Sequence, residues 1–320
     1  MPFNTFFKLK ILTNLSSFQE ASPSFITIGT FDGVHIGHQK VLKNLVKSAK
    51  KNKASSILLT FFPHPRMVLQ KGVEIKLINT IDERIHLLEK TGLDTLVIYP
   101  FDEEFASQTA LNFVRNFLVA KLNIAKLFIG YDHRFGKNRE GDFEHLKEYG
   151  HTYNFKVKEI SKLDINSIAV SSTKIRKAIE NGEIDKANQY LGYQFMLTGE
   201  VVQGNNLGEK IGFPTANLFI KETYKLIPKT GAYIVKSTIA NEVVFGMMNI
   251  GYRPTLKGKH KTIEIHFFNF NKNLYGKNIQ VQVLKFLREE QKFESVQNLR
   301  KQLTTDKKNS LQYINGTFID

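Results

Sequence analysis

The chain has 320 residues, 42% of them hydrophobic and 12% aromatic, with 45 lysines and arginines against 30 acidic residues and no cysteine. Its length exceeds what one ordinary core needs and predicts two domains, and the lack of cysteine excludes disulfides, thiolate metal sites and cysteine nucleophiles. The net charge of +15 is scattered in short clusters such as Lys47, Lys50, Lys51 and Lys53, without a basic tail, and reads mainly as lysine-rich surface.

No run of about 18 apolar residues occurs, so no transmembrane helix is expected. The apolar start is interrupted by Lys8 and Lys10, and no signal peptide is expected either. Ser24–Thr30 reads as a buried strand, followed by a glycine-rich turn and a helix from about Gly37 to Lys53. Ala54–Phe62 is the next strand. Thr80 and Glu83 have capping-box spacing before an amphipathic run. Leu93–Tyr99 reads as strand, Ser107–Leu122 as helix, Ala125–Tyr131 as strand, Asp142–Tyr153 as helix and Phe155–Ile160 as strand. Short apolar strands alternating with helices predict an α/β domain, a parallel sheet with helices on both faces. Beyond Leu191 the pattern becomes all-β. Ala232–Ile239, Val243–Asn249, Thr262–Phe268 and Ile279–Leu284 are short runs divided by Gly, Pro and Asn. They predict a small barrel, closed by a C-terminal helix at about Ser295–Thr304. The connecting helix EIDKANQYL places the boundary near 187, giving domains 1–187 and 188–320.

The strongest local signal in the first half is Gly29-Thr30-Phe31-Asp32-Gly33-Val34-His35-Ile36-Gly37-His38, between the first clear strand and its helix. Ligands of open α/β sheets bind beyond the carboxyl ends of strands. Gly29, Gly33 and Gly37 permit close backbone approach, and the helix start offers free amides to phosphate. His35 and His38, three apart, can face the same phosphates. The bland alternative is a glycine-rich turn with two incidental histidines. A His-x-x-His zinc site ranks below phosphate binding because no third ligand stands nearby.

GTFDGVHIGH resembles the HxGH signature of the nucleotidyltransferases, and with FDGVH the FMN adenylyltransferase branch. Thr60–Pro65 (TFFPHP), Gly130–Gly136 (GYDHRFG) and Ser171–Arg176 (SSTKIR) resemble three further segments of that branch. The resemblance implies a Rossmann-like nucleotidyltransferase domain. Gly29, Phe31, Asp32, Gly33, His35, Gly37, His38, Ser171, Ser172, Thr173 and Arg176 would bind ATP, with His35 and His38 stabilising transition-state charge. Phe62, Pro63, His64, Pro65 and Asp132 would lie on the flavin side. Taken alone, Ser-Ser-Thr before a helix is ordinary N-capping. The implied chemistry needs no dedicated base. An ionised FMN phosphate attacks the α-phosphate of ATP, and alignment and charge neutralisation suffice.

The all-β half carries Gly204, then Gly208-Glu209-Lys210-Ile211-Gly212-Phe213-Pro214-Thr215-Ala216-Asn217. Thr215 and Asn217 offer oxygen ligands suited to a hard cation bridging ATP phosphates. A Gly-Pro turn alone explains Gly212 and Pro214 but not the whole segment. GFPTAN resembles riboflavin kinase, and so do Gly246–Thr255, the Glu264-Ile265-His266 strand and Leu287–Phe293. The resemblance implies that Gly204, Gly208, Lys210, Gly212, Pro214, Thr215 and Asn217 bind ATP, with Mg²⁺ on Thr215 and Asn217. Asn249, Arg253 and Arg288 would meet the flavin, and Glu264 would be the general base. By strand alternation Thr262, Glu264 and His266 share one face. Alternation alone makes Glu264 a solvated residue; the implied reaction, which must deprotonate a ribityl hydroxyl, shifts the balance, and the resemblance places the base at this glutamate. His266 reads as structural. Riboflavin kinases commonly carry arginine just after the glycine at 208, where this chain has Glu209 and then Lys210.

Together the motifs resemble the prokaryotic bifunctional riboflavin kinase/FMN adenylyltransferases, or FAD synthetases, over almost the whole chain. The resemblance implies a cytoplasmic transferase acting on riboflavin, FMN and ATP, with no tightly bound metal and no nucleic-acid or membrane partner; no oligomeric interface is legible. Alternatives are a chain with one active domain, a flavin- or nucleotide-binding regulator without turnover, and a nucleic-acid-binding protein motivated by the charge.

Overall fold

The computed structural model describes residues 8–70, 72, 74–130, 134–160, 170–204, 207–255 and 258–318, with backbone alone at 207, 253–255 and 258–260. The chain divides into two compact units, Met1–Ser172 and Thr173–Asp320.

The first unit is built on a six-stranded sheet in the order β1-β4-β3-β2-β5-β6, with every neighbouring pair parallel. The strands are β1 (Lys10–Leu12), β2 (Ser24–Ile28), β3 (Ser55–Phe61), β4 (Thr95–Tyr99), β5 (Ile124–Gly130) and β6 (Lys156–Ile160). Between them run α1 (Ile36–Lys51), α2 (Pro65–Leu69), α3 (Ile81–Glu89), α4 (Glu103–Ala106), α5 (Ala110–Phe113) and α6 (Phe143–Tyr153). Alternation along the central strands feeds two cores. Phe25, Leu58 and Phe128 pack with Val41, Leu42, Leu45 and Ala49 of α1 and Leu88 of α3. Ile26, Ile57, Leu59 and Leu127 pack on the other face with Phe113, Val114, Leu118 and Leu146. Helices therefore cover both faces, as the near-continuous apolar strands require. Thr80 and Glu83 form the reciprocal capping box their spacing predicts, at 3.0 and 3.1 Å.

Some elements depart from expectation. β1 is a three-residue edge strand, too short to carry a period. The expected helix over 107–122 is α5 running into a π-helical segment, Val114–Val119. No described helix is long and apolar enough to cross a membrane.

The second unit begins with α7 (Ser172–Glu180), whose first residue still belongs to the first unit, and α8 (Ile184–Leu191). A closed antiparallel barrel follows in the order β10-β11-β8-β7-β12-β9. Its strands are β7 (Met196–Val202), β8 (Ala216–Phe219), β9 (Gly231–Ile239), β10 (Glu242–Thr255), β11 (Gly258–Phe267) and β12 (Asn278–Arg288), with α9 (Leu207–Lys210) between β7 and β8. Asn188 ties α8 to the barrel: its Nδ2 donates to Val283 O and its Oδ1 accepts from Phe195 N.

The last helix, α10 (Val296–Phe318), is more than twice as long as the sequence predicts. Its second half is rich in Thr, Asn and Ser, which favour helix weakly. Docking supplies what propensity lacks: Ile314 packs with Ile234, Met247 and Leu284, and Phe318 lies against Phe245. The docking is fastened by charge. Arg288 at the end of β12 donates from Nε and Nη2 to the Asp306 carboxylate on α10, at 2.7 Å for the Nη2 bond, and Gln302 Nε2 donates to the same carboxylate at 2.8 Å. Asp306 is buried and Arg288 nearly so. Removing one partner from such a pair strands the other charge. Asp306→Ala is expected to destabilise the second unit by about 3 kcal/mol, whereas replacing both residues by apolar ones costs much less. Urea denaturation followed by circular dichroism measures both.

Candidate active sites

The turn after β2 is held by buried charge. Asp32 is fully buried, and its carboxylate accepts from the backbone N–H of Ile78 at 3.0 and 3.1 Å and of Asn79 at 3.3 Å. Arg84, buried on α3, places Nη2 4.0 Å from Asp32 and donates from Nη1 to Thr30 O at 2.8 Å. Thr60 Oγ1, on β3, donates to the same carbonyl. Ser172 Oγ donates to Asp32 O at 2.8 Å, which ties Ser172 to this turn. The anchors hold a contorted backbone: Phe31 and Val34 have φ of 48° and 34°. Non-glycine residues there store on the order of 1–3 kcal/mol each, a common mark of ligand-binding turns.

His35 caps α1, its Nδ1 accepting from His38 N at 3.4 Å. That bond leaves the His35 proton on Nε2, so the neutral ring still presents one N–H donor. The cap uses the His38 amide; helix geometry leaves the Ile36 and Gly37 amides without intrahelical partners, an anion-binding arrangement. The two imidazoles stack 3.7 Å apart and Phe31 packs on His38 at 4.6 Å. With His35 Nδ1 spent on the cap, its protonated Nε2 is a hydrogen-bond donor. Burial lowers the His35 pKa from 6.5 to about 4, with Asp32 opposing the shift. His38 is pushed down by burial and then by His35 and Arg84, and its Nδ1 is sealed from solvent without a hydrogen-bond partner.

The proposed flavin-side residues Phe62, Pro63, His64 and Pro65 follow β3, the neighbour of β2. Phe62 N donates to Tyr99 O, and His64 caps α2 through Arg66 N. Asp132 lies outside the described residues, as does the Arg253 side chain. Thr173 and Arg176 follow in α7, in the second unit.

In the barrel, residues from three adjacent strands stand abreast. Asn249 on β10 is opposite Glu264 on β11, which is opposite Asn217 on β8. Directly paired residues of this kind have Cβ atoms about 4.5–5.5 Å apart. All three line a cavity of about 340 Å³, with Gly208, Thr215, Thr262, His266 and Arg288 among its other walls. The alternate β11 residues Ile263, Ile265 and Phe267 are buried. Thr262, Glu264 and His266 thus face the cavity, and Glu264 is a wall residue rather than a solvated one. Gly204 lies under the Asn217 amide: an added Cβ would stand 2.1 Å from Asn217 Nδ2. Gly204, Lys210, Gly212 and Pro214 are not on the cavity wall, and Glu209 and Lys210 are exposed on α9. Arg288 is on the wall, bound to Asp306.

Residues 17–174 match the FAD synthetase family model and residues 191–314 the riboflavin kinase model. The bifunctional riboflavin kinase/FMN adenylyltransferase of Buchnera aphidicola subsp. Schizaphis graminum is 41% identical over 298 residues, 92% of this chain and 95% of that protein. The chain belongs to the bifunctional riboflavin kinase/FMN adenylyltransferase family. It is a transferase, with the adenylyltransferase half preceding the kinase half. The Escherichia coli K12 protein of the same description is 32% identical over 312 residues, 97% of this chain and 99% of that one. A solved structure described as a macrolide-efflux protein from Streptococcus pneumoniae has a TM-score of 0.85 at 30% identity, covering 94% of this chain and 97% of that one. The efflux description belongs to that protein; what this chain shares with it is the fold.

Sequence reasoning missed Arg84, whose only signal is a cation on the helix that the Thr80 capping box starts. It also missed the cavity walls from α10, Leu299, Leu303 and Asp306, of which only Asp306 lies beyond Thr304, where the helix was expected to end.

The buried histidines give the adenylyltransferase half an acid-side weakness. The unfolded chain protonates His35 near pH 6.5 while the folded one resists to about 4. Stability is therefore complete above 6.5 and falls as pH drops through that window, by roughly 3 kcal/mol from His35 alone. Chemical denaturation at pH 7 and pH 4.5 measures the loss, and His35→Asn, which keeps a capping side chain, is expected to reduce it.

Proposed function

We propose that the barrel phosphorylates riboflavin at the ribityl 5′-hydroxyl with ATP, giving FMN and ADP, and that the parallel-sheet unit joins FMN to the AMP part of a second ATP, releasing pyrophosphate. The row Asn249, Glu264, Asn217 carries the kinase reading, since it sets a carboxylate between two amides on the wall of one cavity. Glu264 takes the hydroxyl proton as the ribityl oxygen attacks the γ-phosphorus and the bond to ADP breaks. General-base assistance of this sort contributes roughly 10²–10⁴-fold.

Among the described residues no cluster of three His, Cys, Asp or Glu side chains could hold a metal. Thr215 and Asn217 instead offer a hydroxyl and an amide oxygen beside Glu264, a sparse donor set that fits Mg²⁺ shared with substrate phosphates and water. A bound Mg²⁺ would neutralise charge on the transferred phosphoryl. Asn217 is held for this by Gly204, which admits its amide.

In the adenylyltransferase half, His35, the amides of Ile36 and Gly37, and His38 would bind the triphosphate, with Ser171, Ser172, Thr173 and Arg176 completing the grip. Neutral imidazoles donate hydrogen bonds and rise in pKa as the polyanion arrives, so charge is gained where the leaving pyrophosphate develops it. Phe62, Pro63, His64, Pro65 and Asp132 are assigned to the flavin here, and Asn249 and Arg253 in the kinase. Arg288, on the same cavity wall, is assigned to the flavin as well, and its bonds to Asp306 fix the α10 wall. The domain division assigned to the two activities is 1–187 and 188–320. The assigned compartment is the cytoplasm.

Incubating the protein with riboflavin, ATP and Mg²⁺ and separating the flavins is expected to show FMN and then FAD. Glu264→Gln should lower FMN formation by about 10²-fold or more while FAD is still made from supplied FMN. His38→Ala should do the reverse. A parental rate of FMN formation by Glu264→Gln would remove it from the base role. Gly204→Ala should raise the ATP concentration needed by the kinase and leave adenylyl transfer unchanged, which steady-state kinetics on each half-reaction would reveal.

A further inference from the structure

We propose that His266 is a positioning residue of the kinase reaction, holding the turn that carries Thr215 and Asn217 through the carbonyl of Pro214. The inference rests on the reading of those two residues as the cation ligands.

The ladder between β8 and β11 explains why such a strut is needed. Pairing covers only Glu264 with Asn217 and Ile265 with Ala216. It stops one residue short of Thr215, the first of the two oxygen donors, and Pro214 before it has no N–H with which to extend a ladder. The next residue on β11 is His266. Its Nδ1 lies 2.8 Å from Pro214 O, so the ring donates Nδ1–H to the carbonyl immediately before Thr215. A side-chain bond therefore takes the place of the missing rung. The ring is fixed by edge contacts, at 5.2 Å to Phe213 and 5.8 Å to Phe268. Phe213 belongs to the same turn, so the imidazole holds it by one polar and one aromatic contact. His266 also stands on the cavity wall, two residues from Glu264 on the same face of the same strand. β11 thus carries both the base and the strut for the donor turn, and one rigid element sets the distance between proton acceptor and cation. A histidine serving only to fill the core would need neither the bond to Pro214 nor a place on the wall.

The test is riboflavin phosphorylation by the full chain with Mg²⁺ and ATP varied. His266→Leu should raise the half-saturating Mg²⁺ and ATP concentrations roughly ten- to hundredfold, the usual effect of losing a group that orients a metal ligand. Riboflavin binding, followed by quenching of flavin fluorescence, should stay parental, as should adenylyl transfer to supplied FMN. His266→Asn places an amide N–H where Nδ1–H stood and should recover most of the loss. The inference is overturned by parental Mg²⁺ and ATP dependence in His266→Leu, by His266→Asn behaving no better than His266→Leu, or by loss of riboflavin binding in both, which would make the residue a general support of the barrel. Asn217→Ala separates the levels. If it leaves Mg²⁺ and ATP dependence untouched, the ligand reading fails and takes the inference with it. If it raises them while His266→Leu does not, the inference alone fails.

Discussion

The kinase half depends on strand register. Asn249, Glu264 and Asn217 come from three different strands, and only the pairing of β10, β11 and β8 sets them in a row. The same pairing puts Ile263 and Ile265 into the core, so burial of the apolar face and presentation of the polar one are a single condition. A slip of one residue would exchange the faces and turn Glu264 inward. The hydrophobic effect thereby enforces the geometry of the polar row without any contact to it.

The adenylyltransferase half is organised by buried charge instead. Asp32 and Arg84 are removed from water and compensated by backbone groups, which fastens a turn with two left-handed non-glycine residues. Leaving any of these groups unmatched would cost several kcal/mol, so the turn is held far more firmly than a surface loop. The two halves thus follow the demands of their reactions. On the proposed reading, activating a hydroxyl takes a carboxylate beside a cation, whereas a phosphate nucleophile takes a preformed cradle of donors.

Much of this was legible in the chain. Alternating apolar runs gave the parallel sheet, Thr80 and Glu83 gave a helix start, and Thr262, Glu264 and His266 were on one face by period alone. What escaped depends on partners distant in sequence. β1 is fixed by pairing with β4 and has no period of its own. The tail of α10 is helical because Ile314 and Phe318 dock, against weak propensity. The resemblance put Arg288 at the flavin, and its bonds to Asp306 on α10 were not legible from the motif. The bond from His266 to Pro214 could not be read from spacing, since 52 residues separate them.

The α10 wall bears on the order in which the two halves mature during synthesis. Every strand of the parallel sheet has been made once Ile160 is added, and domains generally fold as units while the ribosome continues. The barrel strands end at Arg288, but Leu299, Leu303 and Asp306 must still arrive to finish the cavity. A nascent chain can therefore own a complete parallel sheet well before it owns a closed barrel cavity, and a ribosome that stalls late leaves a product whose kinase half, not its adenylyltransferase half, is unfinished.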